Sequence, residues 1–168
     1  MAKSTNKVTG KLADFLESRR FEDYIYTLVT LAYSDIKDRD VKVVWGSIGP
    51  NAVVISSHKK SDVIRCNRAV RNWPEPALYG LLSHELSHIA LGVNLHSELQ
   101  ADKDVIERGL GQYLAVERVL TTKFEDHNLR NGEDRYLGYF SIRKLLKAHE
   151  IRQLDILLSN YEIAVDSE

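Results

Sequence analysis

The strongest constraint on this chain is the string His84-Glu85-Leu86-Ser87-His88, with Glu98 ten residues after the second histidine and Asp102 four residues beyond that. On a helix, side chains at i and i+4 share one face and lie about 6 Å apart along the axis. Two imidazoles so placed can reach one Zn²⁺, with the intervening glutamate beside it. The surroundings predict that helix. Trp73-Pro74-Glu75-Pro76 supplies a start signal, and Ala77 to Leu91 contains no proline. Leu78, Leu81, Leu82, Leu86 and Ile89 form an apolar stripe, and Gly92 suits the position just past the end. Two histidines and a glutamate in so apolar a helix are costly to bury without partners.

A second helix is expected directly afterwards. Ser97 with Gln100 makes a capping-box pattern, so the helix begins at Glu98, and its apolar positions run from Ala101 and Val105 to Leu114, predicting an end near Leu120. A short connection folds two sequential helices into an antiparallel hairpin. Glu98 then returns to the level of His88 and Asp102 to that of His84. This placement lets Glu98 complete a His84, His88, Glu98 zinc site, while Asp102 accepts a hydrogen bond from the other nitrogen of His84. Two alternatives for the third ligand stay open: His96, which can swing in from the loop, and Asp102 itself. Two acids in a first helical turn also complement the helix dipole without any ion.

H-E-x-x-H followed by E-x-x-x-D on the next helix resembles the gluzincin class of zinc metallopeptidases. The string Glu98-Leu99-Gln100-Ala101-Asp102 is similar to the E-x-x-A-D segment of the prenyl-protein and heat-shock-type metallopeptidases. The resemblance covers Tyr79 to Gly111, with a shorter spacing from second histidine to glutamate and without the membrane spans of those families. The metzincin pattern is not met, since Leu91 and Asn94 stand where its glycine and histidine would be. The resemblance implies a zincin-like fold, a glutamate ligand at position 98 and an aspartate at 102 that supports a histidine.

The expected activity is hydrolysis of a peptide bond in a peptide or protein substrate. A metal-activated water attacks, Glu85 serves as general base, and a further donor stabilises the oxyanion. Tyr113, His127, Tyr136 and Tyr139 are the candidates for that donor. The competing expectation is a catalytically weak zinc module that binds a peptide or protein partner. It would gain if His96 and Glu98 both bound the ion, because structural zinc sites have four protein ligands. Hydrolysis of a non-peptide bond also fits H-E-x-x-H.

Composition narrows the setting. A formal net charge of −1 gives no reason to expect a nucleic-acid partner. Arg65, Arg68 and Arg71 cluster, but solvated strand and loop charges account for them. The single cysteine, Cys66, excludes an internal disulfide and fits a reducing compartment. Met1 to Lys7 is polar and no apolar run spans a bilayer, so neither a secretory signal nor a membrane is expected, and the expected location is cytoplasmic.

The rest of the pattern predicts an α+β fold: an N-terminal helix, a small three-stranded sheet, the H-E-x-x-H helix, the ligand helix and C-terminal helices. The first helix is expected over Leu12 to Ile36 with a break near Phe21. Strands are expected at Val41–Trp45, Val53–Ser56 and Asp62–Ala69, the last two as a hairpin with His58 in its turn and Ile64 to Asn67 at the sheet edge. Thr122 to Asp134 reads as loop, and two helices follow around Ile142 and Leu154. One metallopeptidase-like domain, 1–168, is expected, with 1–10 disordered, 11–121 as a zincin-like core and 122–168 as a helical extension that frays from Val165.

Overall fold

A computed structural model describes residues 2–46 and 49–165 of the chain. The architecture is mixed α and β, and it divides into two compact units, Met1–Asn72 and Trp73–Glu168. The division falls at Asn72, where one domain with a boundary at Thr121 was expected.

The first unit holds one long helix and a sheet. Helix α1 spans Ala2–Ala32, followed by a 3₁₀ turn at Ser34–Ile36. It is unbroken at Phe21, whose ring is fully buried, and it begins at Ala2 where residues 1–10 were expected to be disordered. No proline interrupts Ala2 to Ala32, and the polar early residues are compatible with a helix. Strands β1 (Asp40–Gly46), β2 (Ala52–His58) and β3 (Ser61–Asn67) form a sheet in the order β1-β3-β2. β2 and β3 are the expected antiparallel hairpin, with Lys59 at φ 33° in its turn. β3 also pairs in parallel with β1, so it is the central strand and not the edge. One face of β3 is buried, with Asp62, Ile64 and Cys66 in alternation.

Helix α1 packs along β1. The Trp45 indole donates to Ser18 Oγ at 2.8 Å, and Val43 N donates to Glu22 Oε1 at 3.1 Å. Arg68 and Arg71, expected to be solvated, both reach Asp14 on α1, at 3.0 and 2.5 Å. Arg71 also lies 4.1 Å over the Trp45 ring.

The second unit is mostly helical. It consists of helices α2 (Glu75–Leu91), α3 (Glu98–Glu107), α4 (Gly111–Leu120), α5 (Tyr139–Leu145) and α6 (Ala148–Asn160) and a short hairpin of β4 (His127–Leu129) and β5 (Asp134–Tyr136). α4 is central: it packs against α2, α3, α5 and α6 and is buried on nearly every side. Ala77, Val105, Leu114, Ile142 and Leu154 belong to one hydrophobic core. Residues 122–165 therefore share the core of α2 to α4 and are no extension. The expected fraying covers Asp166 to Glu168, which lie outside the described residues, but Val165 packs on that core.

Two expectations are corrected here. The ligand helix does not run to Leu120; it stops at Glu107, and Gly109 at φ 84° turns the chain into α4. Thr122 to Asp134 is not all loop. Its three-residue strands are too short to show any periodicity, and the pairing of His127 with Tyr136 is visible only in three dimensions. Among the described residues, no helix is long and apolar enough to cross a membrane.

Candidate metal centre

The site is built on the α2–α3 hairpin. α2 ends at Gly92, whose φ of 95° reverses the chain. α3 opens at Ser97 with the expected capping box: Gln100 N donates to Ser97 Oγ at 3.1 Å, and Ser97 N donates to Gln100 Oε1 at 2.8 Å. A second cap comes from far along the chain. Asp134 Oδ2 accepts from Glu98 N at 2.9 Å, and its Oδ1 accepts from Leu99 N at 3.2 Å. The first turn of α3, and with it the Glu98 side chain, is thus held from two sides.

Three side chains converge. Glu98 Oε2 lies 2.9 Å from His84 Nε2 and 3.0 Å from His88 Nε2, and the two imidazole nitrogens are 3.1 Å apart. These are the only His, Cys, Asp and Glu residues among those described whose ligand atoms cluster in this way. Around an ion with bonds of about 2.0–2.1 Å, tetrahedral ligand atoms stand roughly 3.4 Å apart. The three atoms need separate only slightly, and two imidazoles with one carboxylate make a donor set that suits zinc. The residues present fit the ion.

Asp102 occupies the expected place. Its Oδ1 is 2.8 Å from His84 Nδ1, which directs the other nitrogen of that ring at Glu98 and His88. His96 does not join the three. Its Nε2 lies 2.8 Å from His88 Nδ1, so it supports the second histidine as Asp102 supports the first.

Four contributors were not foreseen from sequence. Arg118 Nη2 donates to Asp102 Oδ1 at 2.8 Å, and Leu137 N donates to Asp102 Oδ2, also at 2.8 Å. Glu117 pairs with Arg118 Nη1, and the Arg118 Nε donates to the Leu137 carbonyl at 2.9 Å. Asp134 caps α3. One signal was present: Glu117 and Arg118 stand in an otherwise apolar run, Leu114-Ala115-Val116 and Val119, where charge is costly unless paired. Nothing local marks Asp134 or Leu137.

The buried charges shape one another. Burial favours a neutral His84, but the carboxylates of Asp102 and Glu98 outweigh it and push the imidazolium pKa up to about 10. Burial works against the Glu98 anion, yet the two histidines hold its pKa well below the usual carboxylate range. Asp102 likewise stays low despite burial, through the charge of Arg118 and the His84 hydrogen bond. Glu85 is buried on α2, and its charge acts on both His84 and Tyr136.

The four oxyanion candidates separate. The Tyr136 ring lies 5.8 Å from that of His84, and burial, then the carboxylates of Glu98 and Glu85, raise its phenol pKa. Tyr113 packs on Tyr79 and accepts from Gln153. Tyr139 is buried in the core, its hydroxyl accepting from Arg143. His127 is exposed on β4.

Comparison of the chain with protein-family models, curated proteins and solved structures finds no match.

Proposed function

We propose that the chain is a zinc-dependent peptidase of gluzincin type, with His84, His88 and Glu98 as the ligands. The observation that carries this reading is the meeting of three ligand atoms within 3.1 Å of one another on an H-E-x-x-H hairpin, with Glu85 buried on the same helix. A zinc ion held by these three side chains alone would keep a position open, as in catalytic sites, whereas structural zinc takes four protein ligands. That favours a peptidase over the zinc module that only binds a partner.

Zinc held by His84, His88 and Glu98 would supply Lewis acidity for the reaction. The residues do the rest. Glu85 accepts a proton from the attacking water on its carboxylate and returns it to the leaving amine nitrogen. Asp102, fixed by Arg118 and by Leu137 N–H, holds the His84 ring in one orientation. Tyr136 keeps its phenolic proton, because burial and nearby carboxylates raise its pKa, and donates it in a hydrogen bond as charge grows on the carbonyl oxygen.

Metal analysis and turnover test the reading together. Purified protein is expected to carry one zinc per chain, lost in Glu98→Ala and kept, though held less tightly, in His96→Ala. Glu85→Gln is expected to keep its zinc and lose activity by about 10²–10⁴-fold. Full activity in Glu85→Gln, or zinc retention indifferent to Glu98, overturns it.

A further inference from the structure

Beside the metal centre, in the second unit, lies an open pocket of about 860 Å³. Its apolar walls are Phe124, Leu129, Tyr136 and Phe140. Tyr136 is common to both places: its ring lines the pocket and also lies 5.8 Å from the His84 ring. The pocket and the His84 ring thus share one side chain, which places them next to each other.

The charge in the pocket is informative. Two cations flank the Tyr136 ring: the Arg118 guanidinium at 5.5 Å and the Lys123 ammonium at 5.4 Å from its centroid. Arg118 is satisfied by Glu117 and Asp102. Lys123, half-buried, has the ring but no carboxylate partner among the described residues. Of the pocket's two acids, Asp126 is committed to Gly138 N at 2.8 Å and faces Arg135 at 3.6 Å, while Glu125 is exposed. A half-buried ammonium against an aromatic face is a ready partner for an anion that brings apolar surface with it. The two ring distances sum to 11.2 Å, which bounds how far Lys123 can stand from His84. One or two extended residues, at about 3.3–3.6 Å each plus a side chain or terminal group, cover that gap.

We infer that this pocket receives the C-terminal residue of a peptide, a large apolar or aromatic side chain lying against Phe124 and Phe140 and the α-carboxylate pairing with Lys123. The inference rests on the peptidase reading and makes the activity a carboxypeptidase. Water adds across the last peptide bond: its oxygen joins the carbonyl carbon, the C–N bond breaks, and a proton passes to the nitrogen of the released amino acid.

The test compares acetyl-Ala-Ala-Phe with the same peptide ended in an amide, on zinc-loaded wild type and on Lys123→Met. The wild type is expected to release free phenylalanine and to handle the amide tenfold or more less efficiently in kcat/KM. Lys123→Met is expected to lose that preference while keeping its zinc. Titration of both peptides into Glu85→Gln protein reads the pocket without turnover, and the acid is expected to bind tenfold or more tighter. Binding that discriminates, without cleavage in wild type, supports the pocket and overturns the peptidase. Equal treatment of acid and amide in both measurements, or a preference that survives Lys123→Met, overturns the assignment of Lys123.

Discussion

Asp102 and Asp14 both bind arginine, and they do opposite kinds of work. In the second unit Asp102 is fully buried and Arg118 nearly so, at 0% and 4% side-chain exposure. In the first unit Asp14 bridges Arg68 and Arg71 while about a third of its own side chain and half of that of Arg68 stay in water. Water screens the surface group and lets it rearrange, so it contributes little to stability. The buried pair cannot relax. Each oxygen of Asp102 has a fixed donor, His84 and Arg118 on one and Leu137 N–H on the other. Burying it cost desolvation, and what it offers in return is a fixed orientation of the His84 ring, one of the three side chains proposed to hold zinc.

The sharpest way to break this comparison is Asp102→Asn. The amide keeps the shape, loses the charge opposite Arg118, and turns one acceptor into a donor facing Leu137 N–H or Arg118. Removing one partner of a buried pair costs about 3–5 kcal/mol. Loss of support to the ligand histidine lowers zinc affinity about 10–100-fold. Urea unfolding and a zinc-chelator competition read the two effects separately. If the Asp102→Asn protein proved as stable as wild type and bound zinc as tightly, the network would not be what positions His84.

The same contrast explains what could be read in the sequence. The hairpin was legible because its determinants are local: an i, i+4 histidine pair, a glycine that reverses the chain, a capping box, and a connection too short for anything but return. The hairpin geometry brought Glu98 and Asp102 level with the two histidines, while spacing left His96 and Asp102 open as alternatives to Glu98 for the third ligand. The members that fix them were not legible, because they come from distant segments. Arg118 stands 16 residues from Asp102, while Leu137 and Asp134 are about as far from their partners as a whole helix and hairpin. Asp134 and Tyr136 sit on one three-residue strand, β5, too short to show a periodic pattern. In the first unit the strands were legible and their order was not. Alternating burial of Asp62, Ile64 and Cys66 marks a strand, but the parallel pairing that puts β3 in the centre joins residues about 21 apart.

Two glycines in helices carry the comparison into packing. A Cβ on Gly80 would stand 2.3 Å from the Tyr113 carbonyl oxygen, which is backbone and cannot swing aside. Gly80→Ala must therefore push α2 and α4 apart, at a cost of about 1–3 kcal/mol. A Cβ on Gly10 of α1 would meet nothing within 4 Å. Gly10→Ala is expected to stabilise the first unit by up to about 1 kcal/mol, through helix propensity alone. Thermal or urea unfolding of the two variants should shift in opposite directions; a Gly80→Ala protein as stable as wild type would mean that the tightness of the α2–α4 crossing is not what Gly80 serves.

The smallest effect belongs to Asp14. Hydrogen bonds from Arg68, then Arg71, lower its pKa to about 2. A carboxylate whose pKa is lower folded than unfolded binds fewer protons in the native state, so its contribution is complete above the unfolded value near 3.9 and is lost as pH falls through about 2. Solvent screening keeps that contribution small, and salt should shrink it further. Asp14→Asn is accordingly expected to lower stability at neutral pH by less than any change described above, and to leave wild type and variant indistinguishable once the pH is below 2. The difference between the two proteins, followed by urea unfolding from pH 7 downward at low and at high salt, separates the two kinds of carboxylate. It should fade with acid and with salt at Asp14, whereas the Asp102→Asn variant should keep its large deficit at every salt concentration.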